Sequence, residues 1–141
     1  MNFKDINIGF LISQQVAKYE IEISRICRFL KCREDEIEKM YQSKSLDTET
    51  LLKWCKLLEY DFFRIYSQHL ILYAPKGNFQ HHLSSNNESQ IPQFRKNIYT
   101  QEVIDFILEQ IFSGEMTKHQ VIEQYGIPKT TLYKWIHKYK K

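Results

Sequence analysis

The sequence predicts an all-α protein: two small helical units joined by a flexible linker. Three observations carry that expectation. Apolar residues recur at helical spacing from about residue 6 to 73 and again from about 98 to 141. Between them lies "APKGNFQHHLSSNNESQIPQFRKN", residues 74–97, rich in Ser, Asn, Gln and Pro and poor in aliphatics. Such a segment buries too little apolar surface to offset its chain entropy. Finally, good cap and stop residues punctuate the periodic stretches. A length of 141 residues suits one ordinary domain or two very small ones. The expected division is therefore 1–73, 74–97 and 98–141.

Five helices are expected in the first unit. The first runs from about Asn7 to Tyr19 on an apolar face of Ile8, Leu11, Ile12 and Val16. The second covers Ile23 to Leu30, with Ile23, Ile26, Cys27 and Leu30 inward. The third lies within "CREDEIEKMYQSKS", Cys32 to Ser45, and turns Ile37, Met40 and Tyr41 inward. The fourth starts after Asp47, a good N-cap, and is expected to bury Leu51, Leu52, Cys55 and Leu58. The fifth starts after Asp61 and uses Phe62, Phe63 and Tyr66; its tail "LILYA" either continues the helix or forms a short extended arm.

Three helices are expected in the second unit. One spans about Gln101 to Phe112, with Val103, Ile104, Ile107, Leu108 and Ile111 apolar, and stops at Ser113-Gly114. The next follows Thr117 and holds Val121, Ile122 and Tyr125, and Gly126 makes the turn. The last begins at Pro128, a residue favoured in a first helical turn, with Leu132, Trp135, Ile136 and Tyr139 inward.

Charge separates the units. Residues 1–76 carry twelve Lys/Arg against eleven Asp/Glu, whereas residues 94–141 carry eight against five, and no acid follows Glu123. The N-terminus has an acid where a signal peptide needs positive charge, and the longest apolar run is far short of a membrane span, so a cytoplasmic protein is expected. Cys27, Cys32 and Cys55 are an odd count without a disulfide framework and read as reduced thiols. A zinc site from Cys27, Cys32, His81 and His82 matches no common ligand spacing, so no metal or cofactor is expected.

The segment "TKHQVIEQYGIPKTTLYKWIHKYKK" carries the functional signal: a short capped helix, a Gly turn and a helix with a basic outer face, the pattern of a helix-turn-helix. With Leu132, Trp135 and Ile136 anchored, the opposite face presents Lys129, Thr130, Thr131, Tyr133, Lys134, His137 and Lys138. The first turn of such a helix enters the major groove. Lys129, Thr130, Thr131 and Tyr133 are thus candidate base readers, Lys134, Lys138, Lys140 and Lys141 are candidate phosphate contacts, and Lys118 and His137 complete the DNA-binding set. The alternative is a solvated Lys-rich helix. Residues Tyr99 to Tyr139, above all "YGIPKTTLYKW", resemble the N-terminal helix-turn-helix of bacterial insertion-sequence transposases. That resemblance implies a homeodomain-like, three-helix DNA-binding fold. It does not imply transposition, which in that family needs a separate, larger domain with three carboxylates.

Residues 8–66, through "EISRICRFLKC" and "SKSLDTETLLKWCKLLEYDFF", resemble the Cro/phage-repressor helix-turn-helix family. The departures are Cys27 where that family usually has Ala, Arg33 at the cap before the recognition helix and Glu22 at the cap before the second helix. The whole chain resembles small two-part proteins of Bacteroidota-type bacteria labelled transposase or helix-turn-helix protein. One feature conflicts with groove binding: Glu34, Asp35, Glu36 and Glu38 line the helix that would face DNA. First-turn carboxylates help a helix form but oppose approach to phosphates. The favoured reading is that this unit kept its scaffold, lost groove binding and binds a protein or a second copy of itself, with the acidic helix as the candidate surface for a protein partner. The runner-up is groove reading, with Arg33, Lys39 and Lys44 on the backbone. Phe62, Phe63, Tyr66, Leu70, Leu72 and Tyr73 are the candidate dimer or partner surface, weighed against closure of the unit's own core.

The expected function is sequence-specific binding of double-stranded DNA, as a homodimeric transcriptional regulator or an accessory protein of a mobile element at the nucleoid. The alternative is a protein-interaction adaptor whose basic end holds DNA only non-specifically. Catalysis is not expected: no Gly-rich phosphate loop, nucleophile elbow or helical metal-ligand pair occurs in the sequence.

Overall fold

The computed structural model describes residues 1–75, 91–92 and 98–139. Among these residues all regular structure is helical: α1 (Ile8–Tyr19), α2 (Ile23–Leu30), α3 (Glu34–Gln42), α4 (Thr48–Leu58), α5 (Phe63–Tyr73), α6 (Gln101–Phe112), α7 (Lys118–Tyr125) and α8 (Lys129–Tyr139). The chain divides into two compact units, Asn2–Ser67 and Gln68–Lys141, the latter with Met1. Most of the expected linker, together with His81, His82, Lys140 and Lys141, lies outside the described residues.

In the first unit the helix ends decide the packing. The Asn7 side chain accepts from the Phe10 N–H at 3.2 Å and caps α1. The first free N–H groups of α1 find partners at the end of α3: Ile8 donates to the Lys44 carbonyl at 3.1 Å and Gly9 to that of Ser43 at 3.0 Å. Gly9 permits this approach, because a Cβ there would collide with the carbonyl oxygens of Met40, Tyr41 and Ser43. Helix α1 packs on α3 and α4, and α2 packs on the same two. Ile8, Ile12, Ile26, Ile37, Trp54 and Phe62 are fully buried between them.

One expectation about this core needs correction. Leu52 is 48 % exposed, and the buried face of α4 is Leu51, Trp54, Leu57 and Leu58. Leu51 and Leu58 stay inward, while Trp54 and Leu57 take the places expected for Leu52 and Cys55, because the largest apolar side chain wins the interior. Trp54 also directs its indole N–H to the Met40 sulfur at 3.4 Å. Of the two courses open to "LILYA", the chain takes the helical one: α5 continues through Tyr73.

The boundary between units falls inside α5, at Ser67/Gln68, earlier than composition suggests. Gln68 supplies the physical reason. Only 2 % exposed, its amide donates to the Ile98 carbonyl at 2.9 Å and accepts from the Thr100 N–H at 3.0 Å and hydroxyl at 3.3 Å. A buried amide with each end satisfied ties the last turns of α5 to the entry of α6.

Thr100 caps α6, its hydroxyl accepting from the Val103 N–H at 3.4 Å. Helix α7 opens with a reciprocal capping box: the Thr117 hydroxyl accepts from the Gln120 N–H at 3.2 Å, and the Gln120 side chain accepts from the Thr117 N–H at 2.8 Å. Gly126 ends α7 in the left-handed region at φ 64°, where a side chain would be strained. Pro128 stands just before α8 rather than inside it, its carbonyl accepting from the Leu132 N–H at 3.0 Å. Helices α6, α7 and α8 pack pairwise around Val103, Ile107, Val121, Ile127 and Leu132. The edge of Tyr99 meets the Trp135 ring at 4.9 Å, and the Tyr139 hydroxyl donates to the Gln101 side chain at 3.1 Å.

Candidate nucleic-acid interface

Leu132, Trp135 and Ile136 face the core of the second unit. Helical geometry then turns Lys129, Thr130, Tyr133, Lys134, His137 and Lys138 outward, and all six are exposed, while Thr131 is half-buried at the edge. Lys118, the first residue of α7, is exposed too. Its ammonium lies 5.2 Å from the centre of the Tyr133 ring, and that of Lys129 lies 5.6 Å from the same ring. The turn between α7 and α8 thus gathers two cations around one tyrosine that is itself 43 % exposed. Lys138 stacks on Tyr139 at 5.1 Å. Among the described residues none of these lysines is in an ion pair; the nearby Glu123 is engaged by His119 at 3.1 Å. The face is a strip of donors without a carboxylate, able to hold a polyanion.

The acidic helix α3 differs in kind. Arg33 has no acceptor to offer as a cap, so only half of a capping box forms: the Glu36 carboxylate accepts from the Arg33 N–H at 2.9 Å. The Arg33 guanidinium lies 3.4 Å from Asp35 and 3.9 Å from Glu36. Glu34 and Glu38 are exposed and form no ion pair among the described residues. Arg33 and Lys39 are exposed, and Lys44 is held by Asp5 at 2.6 Å.

The six residues expected to form a dimer surface do not share one. Phe62 and Leu72 lie inside the fold, Phe63, Tyr66 and Tyr73 are half-buried, and Leu70 alone stands out at 62 % exposure. The eleven-residue α5 turns successive side chains in all directions, so a run of apolar residues need not form one face.

Half-buried Cys27, Cys32 and Cys55 are free thiols. Burial, then the charge of Glu36, pushes the Cys32 thiol up, away from a reactive thiolate. Burial likewise pushes up the hydroxyls of Tyr99 and Tyr125. No group of three metal-ligating side chains gathers among the described residues. A shallow groove in the first unit runs past Tyr19, Arg25, Phe29 and Lys56, far in chemistry from the strip on α8. No described helix is long and apolar enough to cross a membrane.

Comparison with protein-family models, with curated proteins and with solved structures gives no match.

Proposed function

We propose that this chain binds double-stranded DNA in a sequence-specific manner through α7 and α8, acting as a bacterial transcriptional regulator or as an accessory DNA binder of a mobile element. In this reading the second unit is a homeodomain-like helix-turn-helix, and α8 enters the major groove. The observation that carries it is the exposed, carboxylate-free face of α8 with Lys118 beside it. Thr130 and Lys134 have the chemistry to read base edges, and Lys138 suits phosphates. The first unit is a repressor-like scaffold that pairs with a second copy of the chain, and its acidic α3 is the surface for a protein partner. The protein works at the nucleoid, in the cytoplasm. A unit this small has a small footprint, so dimerisation raises affinity through effective concentration.

In vitro selection from random DNA, run on the full chain, tests this. An enriched motif, repeated or palindromic, is the expected result. The adaptor reading takes over if no motif enriches and binding vanishes evenly at moderate salt.

A further inference from the structure

The geometry points to a clamp, made by Lys118, Lys129 and Tyr133, that holds one phosphodiester of the DNA backbone. It rests on the DNA-binding reading above and refines it, because the sequence alone put Lys129 and Tyr133 among base readers.

Two ammonium groups, from the first residues of two different helices, stand 5.2 and 5.6 Å from one ring centre. The ring face attracts each of them. They repel one another, and no ion pair relieves either among the described residues. Exposed lysines that repel are free to swing apart on their four-carbon stems, yet both fold back toward Tyr133. An anion placed beside the ring removes the repulsion and gains two charge-assisted hydrogen bonds. The Tyr133 hydroxyl, on the same ring, is a third donor. One anion meeting three donors is the pattern of a backbone phosphate, whereas a base edge offers no full charge to two lysines.

The clamp also sorts the neighbouring side chains. Lys129 and Tyr133 are four apart on α8 and lie toward α7, where Lys118 meets them. Thr130 and Lys134, one position on, form the adjacent stripe. Holding the backbone at the α7 edge fixes the depth and register at which that stripe meets the bases.

The test uses the full chain and its selected DNA site, with neutral methylphosphonate linkages introduced one at a time. In wild type, one linkage per bound copy should weaken binding about tenfold when neutralised, the worth of a charged hydrogen-bond set. With Lys118→Ala or Lys129→Ala, neutralising that same linkage should cost less than about twofold, because the partner is already gone. Each lysine variant, and Tyr133→Phe, should weaken binding evenly across all base-pair substitutions. Each lysine variant should also flatten the salt slope by about one. All three side chains are exposed, and circular dichroism verifies folding. The clamp is overturned if the two lysines couple to separate linkages, or if Lys129→Ala or Tyr133→Phe relaxes preference at one base pair. A selected motif with no coupled linkage sinks the clamp alone. Failure to select any motif, with no salt-dependent DNA binding, sinks the DNA reading and the clamp together.

Discussion

Gly9→Ala separates two physical arguments that predict opposite signs. Gly9 lies within α1, where alanine is preferred by about 1 kcal/mol on intrinsic helix propensity. Propensity alone therefore predicts a more stable protein. The structure predicts the reverse. A Cβ at Gly9 meets backbone oxygens of Met40, Tyr41 and Ser43, all closer than real Cβ atoms come, and none belongs to a side chain that can swing away. Helix α1 must lift from the end of α3. That strains or breaks the bonds from Ile8 to Lys44 and from Gly9 to Ser43, worth about 1 kcal/mol each, and adds an overpacking cost of about 1–3 kcal/mol. Subtracting the propensity gain leaves a net loss of about 2–4 kcal/mol. For a unit this small the loss lowers the midpoint by about 10–30 °C. Thermal unfolding followed by amide NMR signals of Asn2–Ser67 reads it directly. An unchanged or raised midpoint would falsify the close α1–α3 approach.

The other predictions concern single groups. Gln68→Leu strands the Ile98 carbonyl and the Thr100 N–H, so the second unit should lose about 2–4 kcal/mol, with faster amide exchange at Thr100 and Val103; unchanged exchange would disprove the tie. Tyr99→Phe removes a buried hydroxyl that finds no partner among the described residues and keeps the ring on Trp135, so chemical denaturation should show a gain of about 1 kcal/mol, and a loss would reveal a partner for that hydroxyl. The Asp47 carboxyl is held below its ordinary value of 3.8, first by the Thr50 N–H and then by the Thr50 hydroxyl. A depressed folded value stabilises the fold above about pH 4, and that contribution fades as pH falls through the folded value; Asp47→Ala should remove this part of the acid dependence in a pH-resolved unfolding series. Joint replacement of Glu34 and Glu38 by Gln removes two exposed, unpaired charges from α3; affinity for the selected DNA should hold or rise, and a collapse of sequence preference would make α3 a base reader.

Much of the helical layout is legible in the sequence because caps are local. Asn7, Asp47, Thr100 and Thr117 each bond an N–H within three residues, and the helices they open start where those residues predict. What sequence reading missed depends on partners distant along the chain. The inward turn of α4 is decided by the cavity that takes Trp54, and only the bulk of that side chain, three residues after Leu51, signals it. The burial of Phe62 and Leu72 follows from docking that composition cannot show. Gln68 looks like an ordinary polar residue on a surface helix until its amide meets residues thirty positions away. The basic strip on α8 was legible from periodicity and charge, but the meeting of Lys118 with Tyr133 was not, since it depends on how α7 crosses α8.

The two charge patterns become intelligible when each is set against what its own helix needs. A helix start carries partial positive charge, so a carboxylate there stabilises and an ammonium destabilises, by about 0.3–1 kcal/mol each. Helix α3 places Glu34, Asp35 and Glu36 in its first turn, with Glu36 also bonding the Arg33 N–H. Helix formation favours those three acids whether or not a partner docks on them. Helices α7 and α8 do the opposite: neither has an acid in its first turn, and each begins with a lysine. Those cations oppose both helix dipoles and each other. Replacing Lys118 and Lys129 by Glu would favour the isolated fold. On the proposed DNA-binding reading, the charge that helix formation does not favour, at the starts of α7 and α8, is the charge that meets the nucleic acid.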